Sequence, residues 1–177
     1  MDLPHGVFSY LGRNIRRSVS IPVMMGNRMN ARTAEEMVER GDVDFAVFGR
    51  PLLADPELPR KASEGRVEDI RPCVGCNQGC LDHSMSGKSI ECLCNAECGR
   101  ESLLRDENGL LPTEKKTDHP KKILVIGAGV AGMEFSRVAS LRGHRVVIWE
   151  EGPCCGGQLR LAAVPPARHD FDYLADY

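Results

Sequence analysis

Residues 121–151 read KKILVIGAGVAGMEFSRVASLRGHRVVIWEE, and their pattern decides the fold. A short apolar run, Ile123–Ile126, enters a turn with glycines at Gly127, Gly129 and Gly132. A helical stretch follows, then a second apolar run, Arg145–Trp149, which ends at the acidic Glu150. Strand, glycine turn, helix and strand in about thirty residues make a βαβ unit. The GxGxxG spacing says little alone, but this context is the one its mechanism requires. Gly127 permits the tight turn, Gly129 lets the backbone approach a pyrophosphate, and Gly132 allows close helix–strand packing. The helix N-terminus favours phosphate charge, and Glu150 can accept hydrogen bonds from an adenosine ribose. The unit reads as a dinucleotide site, and these residues alone do not separate FAD from NAD.

Upstream, residues 105–120 (RDENGLLPTEKKTDHP) are polar and turn-rich and read as a linker. Before them lies an irregular, cysteine-rich stretch from Arg71 to about Arg100. Cys73, Cys76, Cys80 and Cys92 follow C-x2-C-x3-C-x11-C. Structural zinc usually takes two separated C-x2-C knuckles. Here three thiolates come from one tight loop and a fourth from a distance, which suits a [4Fe–4S] cubane. Zinc and unligated thiols are the alternatives, and Cys94 or Cys98 competes with Cys92 as fourth ligand. The vicinal pair Cys154-Cys155 reads as small residues of a glycine-rich turn.

Residues 19–50 read as a strand–helix–strand unit. SIPVMM forms a short buried strand ending in the turn Gly26-Asn27-Arg28. Thr33 and Glu36 make a T-x-x-E capping box that opens a helix with Ala34, Met37 and Val38 on its apolar face. Gly41 stops that helix, and VDFAVF (43–48) is a second strand ending at Gly49-Arg50. Asp55-Pro56 predicts an N-cap and first-turn proline for a helix ending near Gly65. Both strands thus end in glycine followed closely by arginine. In a (β/α)8 barrel such consecutive loops often build a phosphate site; by composition alone they are βα turns with solvent-facing arginines.

The 177 residues suggest one domain or two small ones, and 42% hydrophobic content is enough for a packed core. The net charge is −2, and the run RNIRR at 13–17 is a solvated helix face rather than a nucleic-acid contact. No apolar run approaches the roughly 18 residues of a membrane span, and the N-terminus lacks an apolar signal core. Eight cysteines in a reducing compartment point to metal or redox chemistry rather than structural disulfides. The reading is a cytoplasmic protein with no nucleic-acid or membrane partner.

Taken in order, FGRPLLADPELPRKASEGRVEDIRPCVGCNQGCLD, GKSIECLCNAECGRE, ILVIGAGVAG and WEEGPCCGGQL resemble one family. It is that of the old-yellow-enzyme-related iron–sulfur flavoenzymes, which includes 2,4-dienoyl-CoA reductase, trimethylamine dehydrogenase and 2-enoate reductases. The resemblance covers nearly the whole chain. It implies an α/β fold: the end of an FMN-binding TIM barrel (1–65), an irregular [4Fe–4S] segment (66–104), the linker (105–120), and the first βαβ of a Rossmann-like FAD/NAD(P)-binding domain (121–177). It implies an NADH:flavin oxidoreductase of ene-reductase type, with electrons passing from NAD(P)H to FAD, through the cluster to FMN, and on to an activated C=C bond of an unsaturated small molecule.

By the same resemblance Cys73, Cys76, Cys80 and Cys92 hold the cluster. Gly26, Asn27, Arg28, Gly49 and Arg50 bind the FMN phosphate. Gly127, Gly129, Ala131, Gly132, Glu150, Gln158 and Arg168 contact FAD, and GGQL favours FAD over NAD at this loop. No catalytic residue is assigned, because the family carries its own on earlier barrel strands. Two departures stand out: Asn95-Ala96 replaces a common Asn-Pro, and Cys94 and Cys98 are additional thiols. A barrel takes about 250 residues, so the expectation is a fragment that does not turn over substrate by itself. A non-catalytic iron–sulfur/FAD electron-transfer module and a zinc-stabilised nucleotide-binding scaffold are the competing functions.

Overall fold

Each strand–helix–strand pattern closes into its own parallel strand pair in the computed structural model, which describes residues 3–177. Helix α1 (Ser9–Ser18) leads to β1 (Met24–Met25), α2 (Ala31–Glu39) and β2 (Phe45–Ala46). Met24 pairs with Phe45 and Met25 with Ala46. Val23, Met29, Ala34, Met37 and Val43 form the core between strands and helix, with Met25, Ala46 and Phe48 packed against it.

Three local expectations are corrected. SIPVMM is half-buried rather than buried, because the strand is confined to Met24–Met25: Ile21 lies before it and is 67% exposed, and Met24 points away from the buried Val23 and is also 67% exposed. Helix α2 starts earlier than the Thr33–Glu36 reading. Asn30, in extended backbone, is its N-cap, and its Oδ1 accepts the Thr33 N–H at 2.8 Å. On the face of α2 expected to be apolar, Ala34 and Met37 are buried, but Val38 is exposed. Beyond the helix, the buried Asp42 receives the guanidinium groups of Arg13 and Arg40, which ties α1 to the approach of β2.

Two short helices follow β2: α3 (Arg50–Ala54), which begins directly at Gly49, and α4 (Leu58–Ser63). The predicted start at Asp55 is shifted because Asp55 makes a turn instead of capping the helix. Its Oδ1 accepts the Glu57 N–H at 3.0 Å. Its Oδ2 accepts from Lys61 Nζ at 2.6 Å and from the Arg71 N–H at 2.8 Å. One buried carboxylate thus fixes both α4 and the chain entering the cysteine segment. That segment contains α5 (Leu81–Met85) and α6 (Glu101–Leu104). The polar stretch after it is anchored at both sides. The Thr113 hydroxyl donates to Glu97 at 2.7 Å, and the Thr117 N–H to the Arg142 carbonyl at 2.8 Å.

The second unit runs β3 (Lys122–Ile126), α7 (Val130–Leu141) and β4 (Arg145–Trp149), in register from Lys122↔Arg145 to Ile126↔Trp149. Ile123, Val125, Val146 and Ile148 are partly buried on the α7 side, whereas Leu124, Ile126, Val147 and Trp149 line an open face. Beyond Glu150 the chain forms α8 (Gln158–Ala163) and α9 (Asp170–Asp176), which pack together. Asp170 then crosses to the first unit: Arg28 Nη1 donates to its Oδ2 at 2.8 Å, with both side chains buried. Among the described residues no helix is long and apolar enough to cross a membrane.

Candidate functional site

Glycines draw the cysteines together. The Glu91 N–H donates to the Gly79 carbonyl at 2.7 Å. A Cβ at Gly79 would stand 2.8 Å from the Glu91 carbonyl oxygen. At Gly99, with φ +75°, a Cβ would stand 2.0 Å from the Ile90 oxygen. Only residues without side chains let residues 90–92 lie this close. Gly75 and Asn77, both at positive φ, coil the intervening loop.

The result is one small cavity lined by Cys73, Cys76, Cys80, Cys92 and Cys94, together with Arg50, Leu53, Asn77 and Leu93. Cys98 is buried and lines a neighbouring pocket with His83 and Glu91. The Cys94 thiol donates to Cys92, which with backbone N–H groups and the Arg71 charge brings Cys92 down to about 6. The same bond and burial push Cys94 up. Burial also raises Cys73, opposed by the Gly75 backbone and the Arg50 charge. Among the described residues no three His, Cys, Asp or Glu side chains are grouped so as to hold a single metal ion.

Three polar side chains brace this cavity against the first unit. The buried Asn95 donates through Nδ2 to the Leu53 carbonyl at 3.0 Å, and its Oδ1 accepts the Glu97 N–H at 3.1 Å. Asp55 holds the Arg71 backbone, and Arg50 Nη1 donates to Asn77 Oδ1. Asp55 had a local signal in its Asp-Pro dipeptide. Asn95 had none, because its partner is forty-two residues away.

The strand-end turns lie at corresponding ends of β1 and β2. Gly26 faces the second turn closely, since a Cβ there would be 3.1 Å from the Val47 oxygen. Asn27 and Arg28 are consecutive left-handed residues, φ 87° and 47°, a conformation that costs of order 1 kcal/mol each and tends to mark functional turns. Gly49 precedes α3 and Arg50 opens it. Arg28 departs from the solvent-facing reading: its Nε donates to the Leu3 carbonyl at 2.8 Å and its Nη1 to Asp170.

In the second unit the three glycines differ in what surrounds them. Gly127, at φ +95°, donates its N–H to the Trp149 carbonyl at 2.7 Å. A Cβ at Gly132 would stand 2.0 Å from the Gly127 oxygen. A Cβ at Gly129 would meet nothing within 4 Å, so its face is open at the start of α7. The Gly156-Gly157 turn lies beside it: the Gly156 N–H donates to the Ala128 carbonyl at 2.9 Å. The Glu150 carboxylate accepts the Gly152 N–H at 2.9 Å and the Ala128 N–H at 2.6 Å, which hold it below the usual carboxylate range. Ala131 is exposed on the first turn of α7 and Gln158 opens α8, whereas Arg168 stands in the exposed turn before α9.

A cleft of about 470 Å³ separates this unit from the cysteine segment. Val130, Met133, Glu134 and Cys155 line one side, and Arg71, Leu93, Cys94 and Ala96 the other. Leu93 and Cys94 therefore form a wall common to the cleft and the thiol-lined cavity. Arg71 also lies over the Tyr177 ring, 5.7 Å from its centroid.

Residues 125–177 match the NAD(P)-binding Rossmann-like domain. The chain is 54% identical over 178 aligned positions to a metal reductase of Desulforamulus reducens, covering 100% of this chain and 25% of that protein. It is 40% identical over 175 to a bilirubin reductase of Mediterraneibacter gnavus, covering 98% and 26%. Among solved structures, a 2-naphthoyl-CoA reductase complex superposes with a TM-score of 0.89 at 33% identity, over 99% of this chain and 26% of the other. The chain thus spans about a quarter of the length of the relatives it matches. Aligned over nearly all of its length with proteins named reductases and, at 34% identity, with a dimethylamine dehydrogenase of Hyphomicrobium, the chain belongs to the old-yellow-enzyme-related family.

Proposed function

We propose that this chain carries the middle of an electron path in an NAD(P)H-dependent flavin and iron–sulfur oxidoreductase. Electrons enter from NAD(P)H at FAD on the glycine loop and pass a [4Fe–4S] cluster held by Cys73, Cys76, Cys80 and Cys92. They leave to an FMN whose phosphate end lies at Gly26–Arg28 and Gly49-Arg50. The observation that carries this reading is the shared wall of Leu93 and Cys94, which sets the thiol-lined cavity directly behind the cleft facing the dinucleotide unit.

The donor set fits such a cluster. All the ligating atoms facing the cavity from cysteine are soft sulfur, suited to iron–sulfur chemistry. Arg50 and Arg71 supply positive charge against the thiolates. When bound, the cluster supplies one-electron transfer. The chain's own residues hold it, exclude water with Leu53, Val74 and Leu93, and fix its distance from the glycine loop. Residues 1–65 fit the closing strands of a barrel, 66–104 the cluster segment, and 121–177 the start of the FAD domain. The cavity rather than a pair of knuckles favours the cluster over structural zinc. Eight cysteines support a reducing compartment, the cytoplasm.

The terminal acceptor is an activated C=C bond, in keeping with relatives named bilirubin reductase and cinnamate reductase. A second reading, reduction of an oxidised metal ion, is favoured by the 54% identity to the protein named metal reductase. Both use the same path through this chain. Anaerobic preparation followed by iron, acid-labile sulfide and flavin analysis tests that path. Bound zinc without sulfide would reject it. The acceptor is tested in the full-length enzyme by NAD(P)H oxidation with a cinnamate-type substrate against a ferric chelate.

A further inference from the structure

We infer that Arg50 is a positioning residue common to two sites, which sets the reduction potential of the group held in the thiol-lined cavity. The inference rests on the iron–sulfur reading above.

Arg50 stands at the end of β2, immediately after Gly49, as the first residue of α3. Pro51 beside it locks the first turn of that helix, so the Arg50 backbone has little freedom. From this position its guanidinium reaches residue 77, inside the loop from Cys76 to Cys80, and donates to Asn77 Oδ1. Asn77 holds φ 65°, a left-handed conformation that asparagine tolerates better than most residues. Both residues therefore start from constrained backbone, and the contact between their side chains is part-buried.

Arg50 also lines the cavity, with Cys73, Cys76, Cys80 and Cys92, and its charge acts on Cys73. Arginine stays charged at any working pH, and its planar fork offers five N–H donors, of which Asn77 takes one. Adding one electron to a cluster in this cavity adds one negative charge. A fixed cation at the wall stabilises that reduced form and raises the potential, as net charge and hydrogen bonding do at iron–sulfur centres generally. An arginine that merely braced the loop would change stability without moving the potential.

The test uses the 177-residue chain, loaded anaerobically with iron and sulfide and titrated with dithionite under electron paramagnetic resonance. Arg50→Gln is expected to keep its iron and shift the midpoint to a more negative potential. Arg50→Lys retains the charge and should shift less. Asn77→Gly preserves the left-handed turn while removing the acceptor, so it should shift the midpoint in the same direction as Arg50→Gln. Should Arg50→Gln lose its iron, Asn77→Gly decides alone. Wild-type midpoints in Arg50→Gln and Asn77→Gly would overturn the inference. A wild-type chain that takes up no labile sulfide would overturn the iron–sulfur reading instead, before any variant is compared.

Discussion

Arg28 and Asp170 lie 142 residues apart in the chain, yet Nη1 and Oδ2 stand 2.8 Å apart with each side chain only 3% exposed. The pair joins the turn after β1 to α9, and so couples the two parallel units. Arg28 Nη2 and Asp170 Oδ1 have no hydrogen-bond partner, so the two side chains share one hydrogen bond; Arg28 Nε is held by the Leu3 carbonyl, and the His5 and His169 rings stand 4.0 and 3.7 Å from Oδ1.

Breaking a buried pair from one side leaves an unpaired charge in the interior, at a cost of about 3–5 kcal/mol. Arg28→Met and Asp170→Leu should each lower the urea midpoint by a corresponding amount. The double variant should recover most of that loss, because no charge is then stranded. Losses that simply add in the double variant would mean the two residues are not coupled.

The three glycines of the second unit should respond differently. Gly132→Ala places a methyl group 2.0 Å from a backbone oxygen and should unfold or strongly destabilise the unit. Gly129→Val meets open space, so circular dichroism and melting should change little while FAD binding, followed by equilibrium dialysis, is lost. Retained FAD affinity in Gly129→Val would place the flavin elsewhere.

Replacing Cys73, Cys76 or Cys80 by serine should remove most of about four irons and four sulfides per chain, since each supplies one corner of the cubane. Cys98→Ser should leave iron unchanged, because Cys98 lines the neighbouring pocket. Cys92 and Cys94 share one hydrogen bond. Comparing their serine variants by iron content identifies the fourth ligand, with loss expected at Cys92.

The Arg13 guanidinium, aided by Arg40, holds the buried Asp42 carboxyl below its ordinary range. A depressed folded-state pKa stabilises the fold above the unfolded value of about 3.9. That contribution is lost as pH falls through the lower, folded-state value. The urea midpoint should therefore begin to drop near about pH 5 and go on dropping below about pH 3.9, as the folded-state carboxylate is protonated. Asp42→Asn should start lower and show a flatter dependence; an equally steep profile would assign the acid sensitivity to other carboxylates.

What was legible in the sequence follows the range of the forces involved. Gly127, Gly129 and Gly132 could be given separate roles because each answers a constraint from within its own turn, and the same pattern marks the two strands that pair as β3 and β4. The C-x2-C-x3-C run was legible for the same reason. That Cys94, and not Cys98, joins Cys92 at the cavity was not, because it depends on how residues 90–92 close onto Gly79. Asn30 was overlooked as a cap because Thr33 and Glu36 offered a competing box three residues later. Arg28 carried no local sign of its partner, since ion pairing across 142 residues leaves no periodicity to read.

Trp149 is the chain's single tryptophan. It lies on the open face of β4, accepts the Gly127 N–H through its carbonyl, and precedes the carboxylate that holds Ala128. The glycine turn therefore carries a native fluorophore at its hinge. Its indole emission, read against three tyrosines, follows that turn on unlabelled protein, and flavin binding there becomes an optical measurement.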